Sequence, residues 1–312
     1  MVLAVMSALV RPLVEPQLPA GIEARFYTSV EEMLALAPEA EIGWFDLEDK
    51  AQMIEAIGRA DKMHWLNSVY AGLDFLPLGE LAERGVTITN GAGINTAAVA
   101  DYTLLGMLAV AKDYRSVVRA QDRHEWLHDS PGKMEFEGAR ALLLGFGAIG
   151  QAIAARLAPF GVEVVPVRRS GAGGALRPDE WQARLGEFDW VILALPSTAE
   201  TEHVIGAQEL AAMKPSAVLV NIARGEVVDQ DALVDALQQR SIAAALLDVT
   251  TPEPLPADHV LWSLPNAHIT MHLSGRAQAS MFRRAAQRFV ENLHRYVAGE
   301  PVAPQLDPRR GY

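Results

Sequence analysis

The sequence predicts an α/β protein built as two doubly wound parallel-sheet domains. Two observations carry this. Short apolar runs alternate with helical patterns along the whole chain, as a parallel sheet covered by crossover helices requires. The chain also has 312 residues, 50% of them hydrophobic, which is too many for one average domain and enough for two cores.

The elements follow in order. MVLAVMSALV is apolar, has no basic residue before it, and is ended by Arg11, so it reads as a first buried strand. It is too short to span a bilayer and lacks the charged front end of a signal peptide, so a cytoplasmic protein with no membrane partner is expected. Strands are predicted near 2–6, 24–27, 41–44, 64–67 and 86–89, with helices over EEMLALA and DKAQMIEAIG. A single long helix is predicted from Thr96 to Gln121, a length suited to bridging two domains. A second series of strands fits 141–144, 162–167, 190–195, 217–222 and 243–249, with a short one at 268–270. A last helix over 276–298 could return the chain to the first unit.

Composition excludes several classes of function. There is no cysteine, hence no disulfide framework, thiolate zinc site or cysteine nucleophile, and no metal site is expected. The net charge is −12, from 27 basic and 39 acidic residues, with no basic run. Such a chain is a poor ligand for nucleic acid or an anionic membrane. Local arginines can still build a pocket for a small anion.

The strongest motif is ALLLGFGAIGQAIAARLAPFG. Gly145, Gly147 and Gly150 form G-x-G-x-x-G between an apolar strand and an amphipathic helix. The first glycine allows the tight turn, the second lets backbone approach a pyrophosphate, and the third lets helix pack on strand. The phosphates then sit on the free N–H groups of the helix N-terminus. Strand, turn, helix and second strand all follow in sequence, the context that separates a dinucleotide site from a plain βα turn. The second strand ends in Arg168, Arg169 and Ser170, where an NAD-binding fold usually carries an acidic residue. Two guanidiniums and a hydroxyl suit a 2′-phosphate, so NADP(H) is the expected cofactor, with NAD(H) possible. The alternative is a pair of solvated arginines.

Three further segments end apolar strands in polar residues: VLVNIARGEVVDQDAL, LLDVTTPEPLP and AHITMHLSG. Ligands of doubly wound sheets bind beyond the carboxyl ends of the strands, so Arg224, Glu253 and His272 would face the cofactor crevice. Taken singly, each has a dull reading as a surface charge, a loop residue or a satisfied polar side chain. Together, a cation, a carboxylate and an imidazole suffice for keto-acid reduction.

The chain resembles the D-isomer-specific 2-hydroxyacid dehydrogenase family, and within it the glyoxylate/hydroxypyruvate reductase branch. The resemblance runs through WLNSVYAGLDFLP, ITNGAGINTAAVADYTLLGML, LLLGFGAIGQAIA, LALPSTAETEHVIGAQELAAMKP, NIARGEVVD, LLDVTTPEPLP and HLSG. It departs at Arg168-Arg169, and at Asp101, where glutamate is commoner. It implies a discontinuous flavodoxin-like substrate domain, residues 1–95 and 276–312, with a Rossmann dinucleotide-binding domain, 96–275, inserted into it.

The resemblance also implies roles. Arg224, Glu253 and His272 would be catalytic, Arg224 and His272 also touching substrate. The substrate carboxylate would meet the backbone of Ala71, Gly72 and Leu73. Ala148 and Ile149 would offer backbone to the pyrophosphate. Leu195, Pro196, Ile222 and Ala223 would line the adenosine and nicotinamide sides, with Asp248, Ser274 and His272 at the nicotinamide. Preference among acids would depend on side chains such as Trp44, Tyr70 and Met271. Trp126 and the segment after it would be an arm to a second subunit in a homodimer. Two other readings stay open: a phosphoglycerate dehydrogenase-like enzyme on this scaffold, and a non-catalytic dinucleotide-sensing protein.

Overall fold

A computed structural model describes residues 1–307. Residues 308–312, part of the expected 276–312 segment, lie outside the described residues. The chain divides into two compact units, one of Met1–Asn95 together with the stretch from Gln278 onward, the other of Thr96–Ala277.

The first unit opens with β1 (Val2–Ser7), α1 (Arg11–Val14), β2 (Ile22–Tyr27), α2 (Val30–Leu36) and β3 (Ile42–Trp44). It continues through α3 (Lys50–Arg59), β4 (Trp65–Asn67), α4 (Leu78–Glu83) and β5 (Thr87–Thr89). All strand pairs are parallel, in the order β2-β1-β3-β4-β5. This is the flavodoxin-like order of a doubly wound sheet. The helices start where short polar side chains can take free N–H groups: Ser29 accepts from Glu32, and Asp49 from Ala51 and Gln52.

The second unit begins with α5 (Thr96–Ala111) and α6 (Tyr114–Asp122). The single helix expected over 96–121 is therefore two. The break has a tertiary cause. The Ala111 carbonyl accepts from the Met134 N–H at 3.2 Å, and Asp113 turns left-handed at φ 43°. Gly132 lies so close that a Cβ there would sit 2.2 Å from the Lys112 carbonyl carbon. The unit continues with β6 (Arg140–Leu144), α7 (Ala148–Leu157), β7 (Glu163–Val167), β8 (Trp190–Leu193) and α8 (Ala207–Ala212). Then come β9 (Val218–Asn221), α9 (Gln230–Gln238), β10 (Ala244–Leu247) and β11 (Ala267–Ile269). The six strands are parallel, in the order β11-β10-β9-β8-β6-β7. Chain order reverses between β6 and β8, so the crevice beyond their carboxyl ends is the switch point at which such sheets bind ligands. The inner strands β8, β9 and β10 are buried at every residue, which is why they read as continuous apolar runs.

From Gln278 the chain belongs again to the first unit, where α10 (Met281–Val297) buries Ala285, Ala286, Phe289, Val290 and Leu293 along one stripe. The Phe289 ring lies 5.0 Å from Trp44 and 5.2 Å from Trp65. The helix starts later than the expected residue 276. Ser274–Arg276 instead form a short 3-10 turn, and Gln278 after it is tied to Asn95 through a side-chain bond of 2.7 Å. Among the described residues, no helix is long and apolar enough to cross a membrane.

Candidate active site

The glycine turn after β6 has the form its spacing requires. Gly145 sits at φ +96°, and a Cβ there would lie 2.4 Å from the Ala194 carbonyl oxygen. At Gly150 a Cβ would lie 2.3 Å from the Gly145 oxygen, so α7 rests directly on the turn. Gly147 differs. It caps α7, no side chain bonds the helix N-terminus, and a Cβ there would meet nothing within 4 Å. Open space faces the uncapped N–H groups of a ten-residue helix that begins at Ala148 and Ile149. That cradle fits a dinucleotide pyrophosphate.

At the end of β7, Arg168 is half-buried, and its buried Nε has no hydrogen-bond partner among the described residues. A buried unpaired donor costs about 1–3 kcal/mol, so an anionic partner is chemically favoured here. Arg169 and Ser170 are exposed, and Arg169 pairs with Glu200 at 3.0 Å. Beyond β8, Leu195 is half-buried and Pro196 exposed, and the Pro196 carbonyl accepts from the Thr201 hydroxyl at 2.7 Å.

Arg224 follows β9. Buried Asn221 holds that turn: its amide donates to the Arg224 carbonyl at 2.8 Å and its side-chain oxygen accepts from Ala223 at 3.0 Å. The Ile222 N–H donates to the Leu193 carbonyl, tying the turn to β8. At Gly225 a Cβ would lie 2.2 Å from the Thr250 oxygen, so the turn bearing Arg224 presses against the loop bearing Glu253. Gln230 braces the same loop, accepting from the Thr251 N–H at 2.9 Å.

Glu253 and His272 form a direct pair, with Oε2 2.8 Å from Nδ1. Oε1 accepts from the Thr250 N–H at 3.1 Å. Burial pushes the Glu253 carboxyl up, but the bond to His272 and its charge, the Thr250 N–H and the Arg224 cation outweigh it. The carboxyl is held below its ordinary range and stays ionised. With Nδ1 on the carboxylate, Nε2 is left for a reacting group.

His272 stands on unusual backbone. Met271 and His272 are both left-handed, at φ 55° and 54°. Such residues cost about 1–3 kcal/mol each unless their surroundings hold them. Asp248, only 3% exposed, does the holding. Its backbone oxygen accepts from His272, and its carboxylate accepts from the Thr270 hydroxyl and the N–H groups of Leu273 and Ser274. The Ser274 hydroxyl donates to the second carboxylate oxygen at 2.5 Å. Asp248 and Ser274, expected at the nicotinamide, thus also build the loop that carries His272.

Ala71, Gly72 and Leu73 belong to the first unit. Among the described residues none accepts from their N–H groups, while the Ala71 oxygen is tied to the Asn90 amide at 2.7 Å. Gly91 backs this turn closely: a Cβ there would lie 1.9 Å from the Val69 oxygen. Of the side chains expected to tune acid preference, Tyr70 is half-buried and Met271 exposed. Trp44 is instead a core residue, 3% exposed and packed on Phe289.

The family model for the D-isomer specific 2-hydroxyacid dehydrogenase NAD binding domain matches residues 104–274. A glyoxylate/hydroxypyruvate reductase B of Pectobacterium atrosepticum is 35% identical over 260 residues, covering 80% of this chain and 81% of the relative. The chain belongs to the D-isomer specific 2-hydroxyacid dehydrogenase family. It is an oxidoreductase with a nicotinamide dinucleotide-binding domain. A D-3-phosphoglycerate dehydrogenase of Mycobacterium leprae is 30% identical to it, covering 88% of this chain and 56% of the longer relative. A family member from Aeromonas salmonicida superposes with a TM-score of 0.88 at 29% identity, over 98% of this chain and 99% of that one. An NADPH-dependent glyoxylate/hydroxypyruvate reductase from Sinorhizobium meliloti, solved with NADP and malonate, superposes with a TM-score of 0.80 at 25% identity. That match covers 99% of this chain and 98% of the other.

Sequence reasoning missed Asn221, Gly225, Gln230 and Thr270 in this dehydrogenase. Asn221 and Gly225 flank the arginine in NIARGE, and a polar residue ending a buried strand was a usable signal. Gln230 and Thr270 gave none, because their partners are distant in the chain.

Proposed function

We propose that this dehydrogenase reduces small 2-keto acids of the glyoxylate and hydroxypyruvate type to D-2-hydroxy acids, using NADPH. The observation that carries the reading is the 2.8 Å contact between His272 and Glu253, at the strand ends where Arg224 also lies. When bound, the dinucleotide supplies the hydride. The chain supplies the rest. The Arg224 guanidinium holds the substrate carboxylate and stabilises charge developing on the C2 oxygen. His272, protonated, gives the proton at Nε2 to that oxygen. Glu253, bonded at Nδ1, orients the ring so that Nε2 faces the reacting group. In the first unit, the N–H groups of Ala71, Gly72 and Leu73, which meet no acceptor among the described residues, are proposed to receive a substrate carboxylate.

The preference for NADPH is supported by the unpartnered Arg168 Nε, by Arg169 and Ser170 beside it, and by the NADP bound in the Sinorhizobium meliloti relative. We place a second copy of the chain on the segment around Trp126, which is 87% exposed next to exposed Leu127. Two adjacent exposed apolar side chains, one of them a tryptophan, suit a contact with a second chain. Phosphoglycerate dehydrogenase activity is the second reading, favoured by the Mycobacterium leprae relative. Initial rates with glyoxylate, hydroxypyruvate and pyruvate in the presence of NADPH or NADH, and with phosphoglycerate in the presence of NADP+ or NAD+, decide the matter. Turnover of the keto acids with NADPH is expected. Turnover of phosphoglycerate alone supports the second reading, and no turnover at all would favour a sensor.

A further inference from the structure

The turn assigned to the substrate carboxylate is held from behind by one side chain that no motif singled out. Asp46 follows β3. Its Oδ2 accepts from the Val69 N–H at 2.6 Å and from the Trp44 indole at 2.7 Å. Its Oδ1 accepts from the Ser68 hydroxyl at 2.6 Å. The Ser68 oxygen in turn accepts from the Tyr70 N–H at 3.1 Å. One carboxylate therefore fixes three consecutive residues leading into Ala71. The other side of the turn is closed by Gly91, whose N–H donates to the Tyr70 carbonyl at 2.7 Å. The Tyr70 ring is fixed too, since its hydroxyl donates to Leu47 and the Lys50 ammonium lies 3.1 Å from its centroid.

We infer that Asp46 is a positioning residue for substrate binding: its carboxylate sets the backbone of the turn whose next three N–H groups receive the keto-acid carboxylate. The inference rests on the reading of Ala71–Leu73 given above. The physical reason is geometric. Backbone donors have no rotamers to adjust, so their aim is set only by what grips the main chain. Burial pushes the Asp46 carboxyl up, and the three donors and the Lys50 charge offset only part of that. The grip is a built one because both oxygens are taken by three donors at 2.6–2.7 Å.

The test compares Asp46→Ala, Asp46→Asn and the unaltered enzyme. Alanine removes all three bonds. Asparagine keeps the oxygen that receives Val69 and Trp44, and its amide can donate to Ser68. Removing charge-assisted bonds of this kind predicts a rise of about tenfold in KM for the keto acid with Asp46→Ala, and the same rise in Ki for oxalate. Saturated kcat, the KM for NADPH and NADPH binding followed by fluorescence stay within about twofold, and Asp46→Asn restores most of the affinity. An unchanged keto-acid KM in Asp46→Ala overturns the inference, as does a parallel loss in keto acid and NADPH. If Asp46→Ala does not fold, Ser68→Ala carries the test, with a rise of a few fold expected and an unchanged KM refuting. Failure of the underlying reading looks different: the unaltered enzyme would then turn over no 2-keto acid, or oxalate would not compete with one.

Discussion

Gly147→Ala separates ligand binding from folding at the glycine turn. The backbone of Gly147, at φ −75° and ψ −163°, is open to any residue, and a methyl group there would meet nothing within 4 Å. The fold should lose only the difference between glycine and alanine as a helix cap, about 1 kcal/mol. The methyl group would instead fill the cradle over α7, so NADPH affinity should fall by at least about tenfold, the equivalent of roughly 1.4 kcal/mol. Gly150→Ala is the contrast. Its methyl group would lie 2.3 Å from the Gly145 oxygen, a rigid backbone atom. Overpacking of that sort costs about 1–3 kcal/mol, or roughly 2–12 °C in Tm for a unit of this size. Thermal unfolding and fluorescence titration with NADPH on both variants measure the two effects. Normal NADPH binding by Gly147→Ala, or a Tm loss as large as that of Gly150→Ala, would refute the reasoning.

The remaining predictions concern the acid–base pair, the coenzyme and the second copy. His272→Ala should lower reductive kcat/KM by about 10²–10⁴, and Glu253→Gln, whose pair is half-exposed, by roughly tenfold; wild-type rates in either would remove the assignment. In the unaltered enzyme reduction takes up a proton and oxidation releases one, so the reductive rate should fall as pH rises while the oxidative rate moves oppositely. On the acid side the direction follows from Glu253. Its carboxyl is held below the ordinary range, so the pair persists as pH falls through that range and is lost only below it; an acid limb at higher pH would contradict this. Arg168→Ala should cut kcat/KM with NADPH by about tenfold and leave NADH nearly untouched, as steady-state rates with both coenzymes would show. Trp126→Asp should shift the mass measured by light scattering from two chains to one, and a single chain in the unaltered protein would refute the arm.

The sheets were readable because parallel strands buried on both faces leave continuous apolar runs, although the runs expected over 190–195 and 217–222 extend past the strands Trp190–Leu193 and Val218–Asn221 that form within them. Helix limits were less so. Nothing local in AVAKDYRSVV announces a break at Asp113, because the break comes from Gly132 and Met134, far along the chain. The site divides in the same way. Arg224, Glu253, His272 and the three glycines are legible because their chemistry lies in their residue type and their place after a strand. Asn221, Asp248 as a loop anchor, and Asp46 act through partners that only folding brings near. Trp44 misled for a related reason: an aromatic residue ending a strand reads the same whether it lines a pocket or fills a core.

Gly225 has a consequence for how this enzyme can drift under mutation. Since any side chain would collide with the Thr250 carbonyl, the gap between the arginine turn and the carboxylate loop is metered by two stretches of main chain in touch. Neighbouring side chains can be exchanged without altering that ruler. A single added carbon at this position would lengthen it, and would spoil the chemistry while every reacting residue kept its identity.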